Sequence, residues 1–208
     1  MPYLKKCPSQ PEPIDCRILT AALDLFVENG YHNVSIHEVQ KRAQVSIGSI
    51  YNHFGGKEGV AQALYKHILN EVDELVDAVM AEYLTPWQQC EAIIQQLFGY
   101  TETHRNIIAF AFHAKHTEFI SEEPLACRSA PFTKMRQIVR QGIDNGDFVA
   151  LDPWVITSSI FGGAIRMIQL RVDGVIENPL PEYAPQLLQT IRAGVLQNGG
   201  CQQTVTVG

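Results

Sequence analysis

Residues 45–58 read Val45-Ser46-Ile47-Gly48-Ser49-Ile50-Tyr51-Asn52-His53-Phe54-Gly55-Gly56-Lys57-Glu58. Ser46 opens a helix well, because its hydroxyl accepts from an orphan backbone N–H of the first turn. Gly55-Gly56 breaks the chain after residue 54. Between those limits Ile50 and Phe54 lie four apart on one face and can anchor the helix to a core. Ser46, Ser49, Tyr51, Asn52 and His53 carry hydrogen-bonding groups, and Gly48 lets another backbone approach closely. The segment therefore predicts a short helix with one side held and one side presented.

Upstream, Ile18, Ala22, Leu25 and Phe26 mark one face of a helix over about residues 12–29, closed by Asn29-Gly30. Ser35 followed by Glu38 three residues on is a capping-box pattern, and opens a second short helix that ends near Ala43. Two short helices joined by the tight turn Gln44-Val45 make a helix-turn-helix. In that motif the second helix enters the DNA major groove, where base edges carry a distinguishable donor and acceptor code. Lys57 follows at the start of the next helix, where an ammonium and free backbone N–H groups can meet a phosphate.

Downstream the spacing stays helical. A long helix covers about 57–83. Thr85-Pro86, an N-cap followed by proline at the first helical position, opens a fifth with Trp87, Ile94, Leu97 and Phe98. A sixth, about 104–118, is apolar nearly all round, which predicts burial on several sides. Residues 120–131 read as a loop. The seventh carries Met135, Ile138, Val139 and Ile143 and stops at Asn145-Gly146. Asp152-Pro153 opens the eighth, about 153–172, and the ninth covers about 182–197, closed by Asn198-Gly199. The class is all-α, with about nine helices. The division is an N-terminal arm and helix-turn-helix over 1–56, a helical body over 57–200 and a tail over 201–208.

Composition narrows the function classes. Of 208 residues, 46% are apolar and 18% charged, too apolar for intrinsic disorder over most of the chain. The longest strongly apolar stretch, 107–112, is far short of the ~18 residues that a membrane span needs. Residues 2–13 hold no apolar run that would serve as an export signal. The five cysteines are an odd number without a C-x-x-C pair, which reads as reduced thiols in a cytoplasmic protein. The net charge of −6 is unevenly spread: residues 1–57 carry +1 and the remainder −7. A polyanion would meet the first quarter of the chain.

Residues 18–57 resemble the DNA-binding domain of the TetR family of bacterial transcriptional regulators. The resemblance runs through Ala22-x2-Leu25-Phe26-x3-Gly30-Tyr31, Ser35-Ile36-x2-Val39, and Val45-Ser46-x-Gly48-Ser49-Ile50-Tyr51-x-His53-Phe54-x2-Lys57-Glu58. It implies a phosphate contact for Ser35, and recognition-helix positions for Ser46, Ile47, Gly48, Ser49, Asn52 and His53. It implies backbone contacts for Tyr51 and Lys57, and sets Gln44 in the turn. Lys5 and Lys6 would form a basic arm beside the minor groove. The chain departs from the family pattern in three places. Gln44 stands where glycine is common, and is strained if the turn needs a positive φ. Gly55-Gly56 denies the long helix a side-chain cap. Val60 replaces a common leucine.

The resemblance further implies a pocket enclosed by helices four to seven and a dimer interface made by helices eight and nine. Phe98, Phe110, His113, Cys127, Met135, Trp154 and Phe161 are the candidate pocket residues, and they suggest a small apolar or aromatic effector. Ile160, Ala164, Met167, Leu187, Leu188, Ile191 and Val195 are the candidate interface. The partners expected are a double-stranded DNA operator, that effector and a second copy of the chain, with no membrane and no cofactor. His113 and His116 can share a helix face near Glu118, His104 or Cys127, but their spacing is not a zinc pattern. No metal is assigned to them. An enzyme is disfavoured, since no Gly-rich phosphate loop, nucleophile elbow or paired metal motif is present. A DNA-binding protein that senses nothing stays open.

Overall fold

In the computed structural model, residues 12–113 and 129–197 are described. Their order is α1 (Ile14–Asn29), α2 (Ile36–Ala43), α3 (Ile47–Phe54), α4 (Lys57–Glu82), α5 (Pro86–Thr103), α6 (Arg105–His113), α7 (Ala130–Asp144), α8 (Pro153–Val172) and α9 (Ala184–Val195). A 3-10 turn, Leu180–Glu182, precedes α9. One isolated antiparallel bridge joins Phe148 to Leu196.

The starts and stops follow local chemistry. The Ser35 hydroxyl accepts from the Glu38 N–H while the Glu38 carboxylate accepts from the Ser35 N–H, both halves of a capping box. Thr85 and Gln88 repeat it at α5, with Pro86 at the first position. Asp152 accepts from the Trp154 N–H ahead of Pro153. Gly56, at the N-cap of α4, supplies no side chain to its free N–H groups. Two boundaries differ from expectation. Pro131, read as loop, lies in the first turn of α7, where its missing N–H costs nothing. The ninth helix begins at Ala184, because Leu180–Glu182 turns as a 3-10 segment first.

Two apolar cores result. The first joins α1, α2 and α3 to the opening turns of α4 through Val60, Leu64 and Ile68, and takes Ile107 and Phe110 from α6. The second gathers the far end of α4 with α5, α7, α8 and α9 around Phe98, Ile138, Phe148 and Ile160. Helix α4 thus belongs to both. So does α6: Phe110 stacks on Phe26 of α1 at 6.0 Å between centroids, and Asn106 donates to Asp24 at 2.9 Å. Cys16 and Cys90 are buried and in no disulfide among the described residues, and burial pushes the Cys90 thiol far up. No helix among the described residues is long and apolar enough to cross a membrane.

A clamp closes the body. The Arg171 guanidinium donates to both Glu102 carboxylate oxygens, from Nε at 3.0 Å and from Nη2 at 2.7 Å. Arg171 also donates to the Ile176 and Glu177 carbonyls, and the Leu180 N–H donates to Glu102. This one pair holds the end of α5, the end of α8 and the chain leading to α9. Arg171 and the Leu180 N–H hold the Glu102 carboxyl below its usual range. Its stabilisation is therefore complete above the unfolded glutamate value of about 4.3, and fades as pH falls through the depressed folded value. Glu102→Gln should lower unfolding stability by about 1–2 kcal/mol at pH 7. Urea unfolding at fixed protein concentration should show that gap narrowing below about pH 4. An equal gap at both pH values would contradict the clamp.

Candidate nucleic-acid interface and body cavity

The turn between α2 and α3 decides where α3 points. Gln44 caps α2 in the left-handed conformation, φ 54° and ψ 47°, alone among the described non-glycine residues in having a positive φ. Arg17 staples it from α1, donating to the Ala43 carbonyl at 2.6 Å and the Gln44 carbonyl at 2.7 Å. The Gln40 amide donates to the Val45 carbonyl. Ser46 then caps α3, accepting from the Ser49 N–H at 3.1 Å, and its hydroxyl pairs with that of Ser49 at 2.8 Å.

Ile50 is fully buried and anchors α3. The opposite side is open. Tyr51 is 54% exposed, and Ser46, Gly48, Asn52 and His53 are exposed, with Ile47 and Ser49 half-buried beside them. A Cβ on Gly48 would meet only the Ser46 hydroxyl, at 3.8 Å, so nothing inside the protein demands glycine there. This row of polar groups is the side of α3 that the sequence marked for presentation.

Two expected phosphate ligands sit otherwise than the sequence suggested. Lys57 turns inward: its ammonium donates to the Tyr31 and Val34 carbonyls, each at 2.9 Å, and lies 4.3 Å over the Tyr31 ring. Burial pushes its pKa down. Lys57 is a strut that ties α4 to the connection between α1 and α2. The Ser35 hydroxyl is likewise engaged, donating to Glu38 at 2.7 Å while it caps α2. Hydrogen bonds from the Ser35 backbone and side chain hold the Glu38 carboxyl below its usual range.

The candidate pocket residues do not converge. Phe98, Met135 and Phe161 are buried in the body core, and Phe110 belongs to the first core against Phe26. Trp154 is 54% exposed, with the Arg136 guanidinium 4.5 Å over its ring, in an open groove of about 490 Å³ that Arg140 also lines. The His113 side chain, His116, Glu118 and Cys127 lie outside the described residues, as do Lys5 and Lys6. Among the described residues no three His, Cys, Asp or Glu side chains gather to hold a metal ion.

A small cavity of about 20 Å³ stands elsewhere, between α4, α5 and α6. Ile68, Glu71, Val72 and Leu75 line it from α4, Leu97 and Tyr100 from α5, and Ile107 and Ile108 from α6. The Tyr100 hydroxyl is buried and has no hydrogen-bond partner among the described residues. Burial and the nearby Glu71 charge raise the phenol well above its ordinary value, so it stays protonated. Its ring stacks on His104 at 4.3 Å.

The candidate interface divides. Ile160, Ala164, Leu188, Ile191 and Val195 are buried in the chain's own core, which corrects their assignment to a partner surface. Met167 and Leu187 are half-buried at its edge. The outer face of α8 carries Val155, Ser158, Ser159, Gly162 and Arg166, and that of α9 carries Gln189, Thr190 and Ala193, all exposed.

Residues 18–64 match the family model for bacterial regulatory proteins of the tetR family. That segment is therefore similar to the TetR family of regulators. The chain is 28% identical over 98 residues to the fatty acid metabolism regulator protein of Bacillus subtilis (strain 168), covering 47% of this chain and 50% of that one. The chain thus spans about half the length of that curated relative. Folds agree over more. A TetR family transcription regulator from Marinobacter aquaeolei VT8 superposes with a TM-score of 0.75 at 14% identity, covering 89% of this chain and 96% of that one. The transcriptional regulator FadR from Bacillus subtilis, solved in complex with stearoyl-CoA, gives 0.69 at 22% identity, covering 86% and 97%. The proteins that it is similar to carry the names of transcriptional regulators.

Gly59 is a residue that sequence reasoning missed. A Cβ there would come within 1.7 Å of the Phe54 carbonyl oxygen, so α3 can sit against α4 only if residue 59 is glycine. A glycine in the first turn of a long helix was the available signal, since glycine is a poor helix former. Gly59→Ala should lower stability by about 1–3 kcal/mol. Gln44→Gly should raise it by about 0.5–1 kcal/mol, by relieving the left-handed strain. Thermal unfolding checks both signs, and a stable Gly59→Ala protein would contradict the packing.

Proposed function

We propose that the chain is a homodimeric repressor that leaves a palindromic operator when a small apolar effector enters the body. The exposed polar row on α3 carries the DNA-binding half. Ser46, Ile47, Gly48, Ser49, Tyr51, Asn52 and His53 supply the groove contacts, and Ser35 and Gln44 set the geometry. Lys57 acts by holding the turn, with its ammonium already engaged. The outer faces of α8 and α9, with Met167 and Leu187 at their edge, pair across a two-fold axis. One head alone reads too few base pairs for a unique site. Two heads related by that axis read half-sites about 34–36 Å apart, or a multiple of it.

The effector half rests on the cavity between α4, α5 and α6. The cavity is mostly aliphatic, which suits an apolar body, and the FadR relative was solved with a long acyl ligand. Its lining helix α6 also packs on α1 through Phe110 and Asn106, so a ligand that widens it displaces the head. The effector and the operator then weaken each other by the same factor.

Selection from a randomised duplex pool at ~150 mM salt tests the DNA half, since salt screens non-specific phosphate binding. The expected product is a palindromic site that binds two chains. Asn52→Ala should weaken it by roughly tenfold, the cost of one good base contact. No enrichment, before and after unfolding and refolding to strip any effector, would overturn the proposal.

A further inference from the structure

We infer that His37 and Lys41 of α2 hold operator phosphates in place of Ser35 and Lys57, and that the operator binds more tightly when His37 carries a proton. The inference rests on the DNA half of the proposal above, and adds to it two residues and a dependence on pH. DNA carries a negative charge about every 1.7 Å of its axis, so the surface that docks on it needs cations. The head presents few. Residues 44–56, which span the turn and all of α3, contain no Asp, Glu, Lys or Arg. Arg17 is engaged with the Ala43 and Gln44 carbonyls, and Lys57 with those of Tyr31 and Val34. Arg42 pairs with the Glu28 carboxylate at 3.1 Å. The Lys41 and His37 side chains are exposed and meet no partner among the described residues.

Their place on α2 suits the role. At 3.6 residues per turn, positions 37 and 41 share one strip of the helix. Val39 and Ala43 fill the opposite side and are buried in the first core. On one flank of the strip the Gln40 amide reaches the Val45 carbonyl, just before α3. Beyond the other flank Arg42 reaches back to Glu28 of α1. His37 and Lys41 therefore stand on the outer side of α2 that borders the turn into α3, clear of α1.

The carboxylates around His37 all have partners. On α2 itself, Glu38 accepts from Ser35. Helix α1 brings Glu28, paired with Arg42, Asp24, which accepts from Asn106, and Asp15, whose charge acts on His67. Helix α4 brings the engaged Lys57 and Glu58, which accepts from Gln62. Helix α3 brings only the exposed Tyr51 and His53. The negative charge that holds a proton on His37 thus comes with the DNA. Histidine changes charge between about pH 5 and 8. A phosphate favours the charged form, so docking takes up a proton. Affinity is then full at low pH and falls as pH rises through neutrality.

Fluorescence anisotropy with the selected operator, at constant ionic strength, tests this. Wild type should bind about tenfold more tightly at about pH 6 than at about pH 8, since each of two chains takes up a proton. His37→Gln should bind within about twofold of one affinity across that range, and His37→Arg should bind at the higher pH as tightly as wild type does at the lower. Lys41→Ala should weaken binding by one factor at every pH and lower the salt slope by about 1 per chain. Circular dichroism verifies that the variants fold. A wild-type affinity that is flat with pH overturns the inference. So does a pH dependence that survives His37→Gln, whichever histidine carries it, or a salt slope unchanged in Lys41→Ala. In each of those cases the bound operator leaves the DNA reading standing. Should His37→Gln fail to fold, His37→Arg decides, and a pH dependence as large as in wild type overturns the inference. Wild type that selects no operator at any pH sinks the DNA reading and the inference with it.

Discussion

One helix is shared by two cores, and the rest of the molecule is arranged around that fact. Helix α4 runs unbroken for 26 residues, about 39 Å. Its first turns bury Val60, Leu64 and Ile68 with α1 to α3, and its last turns bury Val76 and Val79 with α5 to α9. A helix of that length, packed at both ends, cannot tilt in one core without moving in the other. Gly59 makes the joint rigid, since it lets the Phe54 carbonyl lie against the first turn of α4. Lys57 and Arg17 then lock the remaining degrees of freedom by donating to backbone carbonyls across the head. Helix α6 gives a second, shorter route through Phe110 and Asn106.

That arrangement separates two kinds of polar residue. Those with partners inside, Arg17, Ser35, Glu38 and Lys57, build the angle between helices. Those without an inward task, Tyr51, Asn52 and His53, face out. The proposed function needs both, because a recognition helix held loosely would lose its discrimination to entropy on docking. The same division recurs in the body. The Arg171–Glu102 clamp is structural, whereas Glu71 and Tyr100 line the cavity between α4, α5 and α6.

Much of the fold was legible in the sequence wherever a local signal was chemical. Asn29-Gly30, Ser35 with Glu38, Thr85-Pro86 and Asp152-Pro153 each mark an observed helix end, because caps act within a few residues. The strain expected at Gln44 is present as a positive φ. What failed was reach and direction. Lys57 bonds to carbonyls 23 and 26 residues away, and no local pattern announces that. Ile160, Ala164, Leu188, Ile191 and Val195 share helix faces as the periodicity says, but periodicity does not tell which neighbour covers a face. Their own chain covers it. Of the aromatic residues chosen for a pocket, Phe98, Phe110 and Phe161 fill the cores and Trp154 lies in an open groove, and the cavity lies among aliphatic residues and a glutamate that looks in sequence like any surface glutamate.

The shared helix makes a direct demand on unfolding. Both tryptophans, Trp87 and Trp154, lie in the body, so their fluorescence is blind to the head. Ile50→Ala removes a fully buried side chain from the head alone, at about 2–5 kcal/mol. Thermal unfolding of that variant would be followed by tryptophan fluorescence and by far-ultraviolet circular dichroism. Coupled cores predict one transition, with both signals shifted down together by the same number of degrees. A fluorescence midpoint left at the wild-type temperature while part of the helical signal melts early would contradict the account.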